Sequence, residues 1–86
     1  MSVTHKNCTL NPGSKISPYD DSRFVATVTV TKSNPDMVIL ETSVHMVSPR
    51  AFGTRGQAVA AARAALTYQE FLDKFVAAHE KSYQPA

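Results

Sequence analysis

The stretch 54–81, TRGQAVAAARAALTYQEFLDKFVAAHEK, limits the fold more than any other part of the chain. Thr54 stands three residues before Gln57. This is a capping box, in which the threonine oxygen accepts from a backbone N–H and the glutamine reaches back to the cap. Ala58, Ala60, Ala61, Ala62, Ala64 and Ala65 follow, and alanine loses no side-chain entropy in a helix. No proline interrupts before Pro85. The pattern predicts a long C-terminal helix over 55–81.

The apolar face of this helix moves. Ala58, Val59, Ala62, Ala65 and Leu66 share one face, then Tyr68, Phe71, Leu72 and Phe75 share another, rotated by roughly a quarter turn. Thr67, at the junction, stands three residues before Glu70, which makes a second capping box. Two alternatives follow: one continuous or gently bent helix, which the alanine run favours, or a break near Thr67. A continuous helix of ~27 residues would be ~40 Å long. A domain of this size is about 30 Å across. A straight helix would then overhang its sheet and leave Tyr68, Phe71 and Phe75 facing a partner or a second copy. Packing within the domain is the commoner fate of such a stripe.

Upstream, 22–32 alternates with period two. Phe24, Ala26, Val28 and Val30 take one face, and Val25, Thr27, Thr29 and Thr31 the other. β-Branched residues at this period predict a half-buried strand. Ser33-Asn34-Pro35-Asp36 reads as a turn. A second alternating run covers 37–47, with Val38, Leu40, Val44 and Met46 on one face and Ile39, Glu41, Ser43 and His45 on the other. The two runs predict an antiparallel hairpin with its valine face under the helix. Ser48-Pro49 ends the second strand, and Arg50-Ala51-Phe52 is a brief third strand or an anchoring loop.

Residues 1–21 carry two turn signals, Asn11-Pro12-Gly13-Ser14 and Ser17-Pro18-Tyr19-Asp20-Asp21. They predict a loop-rich N-terminal arm, with 3–10 as an edge strand at most, and 82–86 reads as a frayed tail. With 86 residues the chain makes one small domain, 1–86. A hairpin needs a further strand or a helix against it. The fold class is therefore α+β: an antiparallel hairpin or three-stranded sheet packed by the long C-terminal helix.

Cys8 is the only cysteine, which removes a disulfide framework and suggests a reducing compartment. No apolar run at the start looks like a leader and none is long enough to span a bilayer, so a cytoplasmic protein without membrane contact is expected. The net charge of +2 is far from the dense basic character of many nucleic-acid binders. Yet from 42 to 69 the charged residues are Arg50, Arg55 and Arg63, with no acid among them. These three are the candidate contacts for nucleic acid or another anion, next to free helix N–H groups.

His5, Cys8, His45 and His79 are the soft metal ligands, but only His5 and Cys8 are closely spaced. A structural zinc site needs four convergent ligands, so no metal or other cofactor is expected. No serine or cysteine has a base and an orienting carboxylate placed with it by a local signature, so the chain does not read as an enzyme. Tyr68, Phe71 and Phe75 are the best candidates for binding a protein partner, because aromatics are enriched in interfaces.

Gly53-Thr54 followed by Ala58, Ala62, Ala65 and Leu66 resembles the helix that follows the sheet in HicB-type antitoxins. The likeness covers about thirteen residues and transfers no functional residue. The Pro-Asp-Leu-Pro-Gly-like loop of that family is replaced here by Ser48-Pro49-Arg50-Ala51-Phe52-Gly53, and there is no DNA-binding segment after it. The resemblance implies a non-enzymatic protein that binds and restrains a protein partner. In its strand-then-helix, motif-free build the chain is also similar to small phage-borne inhibitors of host defence such as anti-CRISPR proteins. The expectation is a small inhibitor or adaptor, encoded by a phage or mobile element and able to self-associate, with nucleic-acid binding through the arginines as the alternative.

Overall fold

The computed structural model describes residues 2–34 and 39–82, with the backbone alone at 33–34 and 39–40. Four antiparallel strands form one sheet in the order β1-β2-β3-β4: β1 Val3–His5, β2 Cys8–Ile16, β3 Phe24–Asn34 and β4 Ile39–Phe52. Two helices follow, α1 Arg55–Ala65 and α2 Gln69–Ser82. Both lie on one face, α1 mainly over β2 and β3, and α2 over β4, β3 and β1. The α+β class is as expected; the sheet is larger and the helix is in two pieces.

The loop-rich arm is corrected to a β-hairpin and a paired strand. His5 pairs with Cys8 across Lys6 and Asn7, whose φ angles are 50° and 66°. Positive φ at both central residues marks a type I′ turn, whose twist matches that of the flanking strands. Asn11-Pro12-Gly13-Ser14 is not a turn but the middle of β2, in register with Ala26–Thr29 of β3. Proline is tolerated there because β1 ends opposite Leu10 and the rest of β2 is a sheet edge. The second turn signal is a turn: Ser17 N–H donates to the Arg23 carbonyl, and Asp20 accepts from the Ser22 amide and hydroxyl.

Of the two alternatives for 55–81, the break near Thr67 is the one the structure takes, in place of a continuous helix. Thr54 caps α1 as expected, accepting from the Gln57 N–H at 3.2 Å. At the far end the Thr67 and Tyr68 amides reach the carbonyls of Ala64 and Ala65, three residues back rather than four. The Thr67 hydroxyl donates to the Ala64 carbonyl at 2.6 Å. Thr67 therefore closes α1 instead of capping α2, and tightening the last turn satisfies carbonyls that a helix end would leave bare. The break lets each half of the apolar stripe meet the sheet.

Arg50-Ala51-Phe52 is not a third strand either. β4 runs on to Phe52 through an irregularity: Thr27 pairs with Met46 and Val25 with Ala51. The four residues between Met46 and Ala51 thus stand opposite Ala26 alone. Of the expected turn at 33–36, Ser33 and Asn34 belong to β3, while Pro35, Asp36, Met37 and Val38 lie outside the described residues. The tail beyond Ser82 also lies outside them.

Under the helices, Cys8, Leu10, Ala26, Val28 and Val30 meet Ala62, Leu66, Phe75 and Val76 in one core. These side chains sit on one face of the sheet, since Leu10 pairs with Val30 and Cys8 with Lys32. Val25 and Thr27, on the opposite face, are also buried, so that face is only partly open.

Candidate functional site

The alternation of β4 is as expected, but its direction is inverted. Val28 pairs with His45, Val30 with Ser43 and Lys32 with Glu41, so Glu41, Ser43 and His45 share the helix-covered face with the β3 valines. Val44 pairs with Thr29 and Met46 with Thr27, on the open face. Val44 is 57% exposed and Met46 is 37% exposed. The expected valine face under the helix is therefore corrected: over 41–46, β4 turns Glu41, Ser43 and His45 toward the helices and Val44 and Met46 away.

His79 of α2 completes the inner cluster. It is fully buried, its Nδ1 lies 2.6 Å from Ser43 Oγ and its Nε2 lies 3.9 Å from Glu41 Oε2. Ser43 Oγ also lies 2.7 Å from His45 Nε2. One hydroxyl thus bridges two imidazoles. A hydroxyl carries one hydrogen, so with both rings neutral it donates to one and accepts from the other. Burial holds the His45 pKa below its ordinary value, and the neighbouring His79 adds to that effect. The Phe75 ring lies 6.4 Å from that of His45.

Serine, histidine and glutamate are the residue types of a nucleophilic triad, and no sequence signature joined them. Here the serine lies at Nδ1 of His79 and the carboxylate on the Nε2 side, at 3.9 Å. The hydroxyl is held between two rings, and no cavity opens beside it among the described residues. The cluster acts as a polar clamp that fixes β4 against α2.

The sequence-derived candidates fall in three places. Phe75 is 3% exposed and belongs to the core, and Phe71 packs against that core, so neither is an exposed contact as expected. Tyr68 is 56% exposed. The three rings form one row, Tyr68 edge-on to Phe71 at 6.1 Å and Phe71 stacked on Phe75 at 6.3 Å. Phe24 and Phe52 are cross-strand partners at one end of the sheet. The Arg55 guanidinium lies 4.7 Å from the Phe24 ring and that of Arg50 lies 5.2 Å from the Phe52 ring. Arg63 is exposed in the last turn of α1, about two helical turns (~12 Å) from Arg55.

His5 and Cys8 do not converge as ligands. His5 Nε2 donates to Asp73 Oδ1 at 2.6 Å and Lys6 Nζ lies 3.1 Å from the same oxygen, tying the β1–β2 hairpin to α2. These two hydrogen bonds, that from His5 first, hold the Asp73 carboxyl below its ordinary pKa. Burial pushes the Cys8 thiol up. Among the described residues no group of three or more histidines, cysteines and carboxylates could hold a metal ion, and no helix is long and apolar enough to cross a membrane.

Sequence reasoning passed over Glu41, Ser43 and Val44 as site residues. Their alternation was visible, and the signal that could have placed them was the pairing of Lys32 with Glu41 across the hairpin. No known protein family, curated protein or solved structure matches the chain.

Proposed function

We propose that this chain is a non-catalytic binding protein that inhibits or adapts a protein partner by covering part of its surface. The observation that supports it is the inverted strand. Turning Glu41, Ser43 and His45 to the helix-covered side, where each is half-buried, requires a hydrogen-bonded network, and exposing Val44 and Met46 forgoes their burial. A strand shaped for stability alone would carry the opposite pattern. Exposed apolar side chains beside threonines, on a rigid sheet, suit contact with another protein. This is also the role that the resemblance to HicB-type antitoxins, and the build shared with phage-borne inhibitors, would imply. Tyr68 is a second contact on the helical side, braced by Phe71 and Phe75.

The test is a tagged pull-down from the native cell with wild type, V44D/M46D and Tyr68→Ser, analysed by mass spectrometry beside thermal melts of each variant. The reading expects a specific protein retained by wild type and lost by V44D/M46D at an unchanged melting temperature. The same capture by wild type and by a folded V44D/M46D variant would sink it.

A second reading is nucleic-acid binding through Arg50, Arg55 and Arg63. The observation that favours it is the fixing of two guanidinium groups on neighbouring rings at the uncapped-by-acid start of α1. It predicts steeply salt-dependent binding to oligonucleotides. Binding that is absent at low ionic strength removes it.

A further inference from the structure

The two edges of the sheet are treated differently. On one side, β1 is three residues long, and the edge of β2 beyond it carries Pro12, Gly13 and Lys15. Short edge strands, proline and lysine are the usual means by which a protein stops its sheet from adding another strand. On the other side β4 is the outermost strand. Its first eight residues, ILETSVHM, pair in register with β3 and contain no proline, glycine or lysine. Only at 47–50, where the register breaks around Pro49, does this edge become irregular.

We propose that residues 39–46 of β4 pair antiparallel with the same residues of a second copy, making a two-fold dimer with a continuous eight-stranded sheet. This rests on the reading of the chain as a binding protein and names one occupant of its edge. A two-fold axis that keeps the sheet continuous stands perpendicular to it, so each face of one copy continues into the same face of the other. Because side chains alternate with period two, only pairings centred on a single residue satisfy this.

The polar side chains choose among those centres. Centring on Glu41 sets two carboxylates against each other, and like charges directly opposite are unfavourable, while centring on His45 sets Glu41 against Pro49. Centring on Thr42 or Val44 sets Glu41 against Ser43 or Val47. Centring on Ser43 sets each Glu41 against the other copy's imidazole at position 45, twice over by symmetry. The Glu41 side chain is one-third exposed, so its carboxylate can reach across. The same centre pairs Thr42 with Val44 on the open face. It brings the two Val44 and Met46 patches to either side of the axis, so the dimer presents one apolar surface where each copy has half.

The test measures the mass of the purified protein by light scattering over a concentration series, with no partner present. Wild type is expected to approach twice the 9.4 kDa of the monomer. Thr42 and Val44 are exposed, so substitutions there leave the monomer folded. T42K/V44K sets lysines against lysines and is expected to be monomeric, with a cooperative melt that shows it is folded. T42E/V44K sets opposite charges together only if the centre is Ser43, and is expected to restore the dimer. A wild type that stays monomeric at every concentration overturns the proposal, as does a T42K/V44K variant that still dimerises. A T42E/V44K variant no more dimeric than T42K/V44K overturns it too. None of these results touches the capture of a different protein, which the pull-down reads separately.

Discussion

β3 and β4 belong to one hairpin and alternate equally well, yet they fill the interior in opposite ways. β3 sends Ala26, Val28 and Val30 under the helices, where close packing alone holds them. β4 sends Glu41, Ser43 and His45 to the same side, where direction matters and a hydroxyl must find two ring nitrogens. The apolar half resists disruption through volume, the polar half through geometry. A periodic strand thus states that its faces differ, without stating which face the rest of the chain will cover.

The contrast can be broken most strongly from the apolar side. Leu10→Ala empties a fully buried site opposite Val30 and should lower stability by about 3 kcal/mol, read from urea denaturation. An effect below ~1 kcal/mol would mean that the core closes over the gap. On the polar side, Ser43→Ala removes the hydroxyl that both imidazoles share. Stranding buried ring nitrogens should cost about 1–3 kcal/mol by the same assay. A neutral result would show that His45 and His79 find other partners.

Acid sharpens the comparison without any mutation. The His45 pKa is depressed in the folded protein, so the unfolded chain takes up its proton first as the pH falls. The corresponding stability is present above the ordinary value near 6.5 and is lost as the pH drops through the lower folded value. Denaturation midpoints should therefore fall below about pH 6.5, and His45→Phe should reduce that fall. An equal fall in the variant would assign the effect to other groups. The smallest change is expected from Val44→Thr on the open face, within about 0.5 kcal/mol of wild type. A larger loss would show that Val44 is covered in the isolated protein.

Much of the fold was legible where local chemistry agrees with tertiary packing. Thr54 and Gln57 mark the start of α1, and the alternation of 24–30 identifies β3 and its helix-facing side. The first hairpin was missed because its turn is Lys6-Asn7, without the glycine that usually announces a type I′ turn. Pro12-Gly13 misled for the reverse reason: both residues favour turns, yet an edge segment accepts the proline. A β-carbon added at Gly13 would come within 3.2 Å of Thr27 Oγ1, a close approach that a glycine permits. Thr67 had the right residue type for a cap but bonded backwards, a choice between two helix ends that spacing alone does not make. The clamp around Ser43 was hidden for a different reason. It joins residues 36 positions apart, and its site depends on which way β4 faces.

The tie between His5 and Asp73 spans 68 positions of the chain. During synthesis the sheet leaves the ribosome first, with Leu10, Val28 and Val30 still facing water. The helices that cover them follow the sheet in the chain, and only once they have emerged can the histidine of the first strand find its carboxylate. Until that moment the nascent chain is a sticky half-domain of the kind that chaperones hold. A stop or stall within α2 would therefore release an aggregation-prone product rather than a slightly weakened protein.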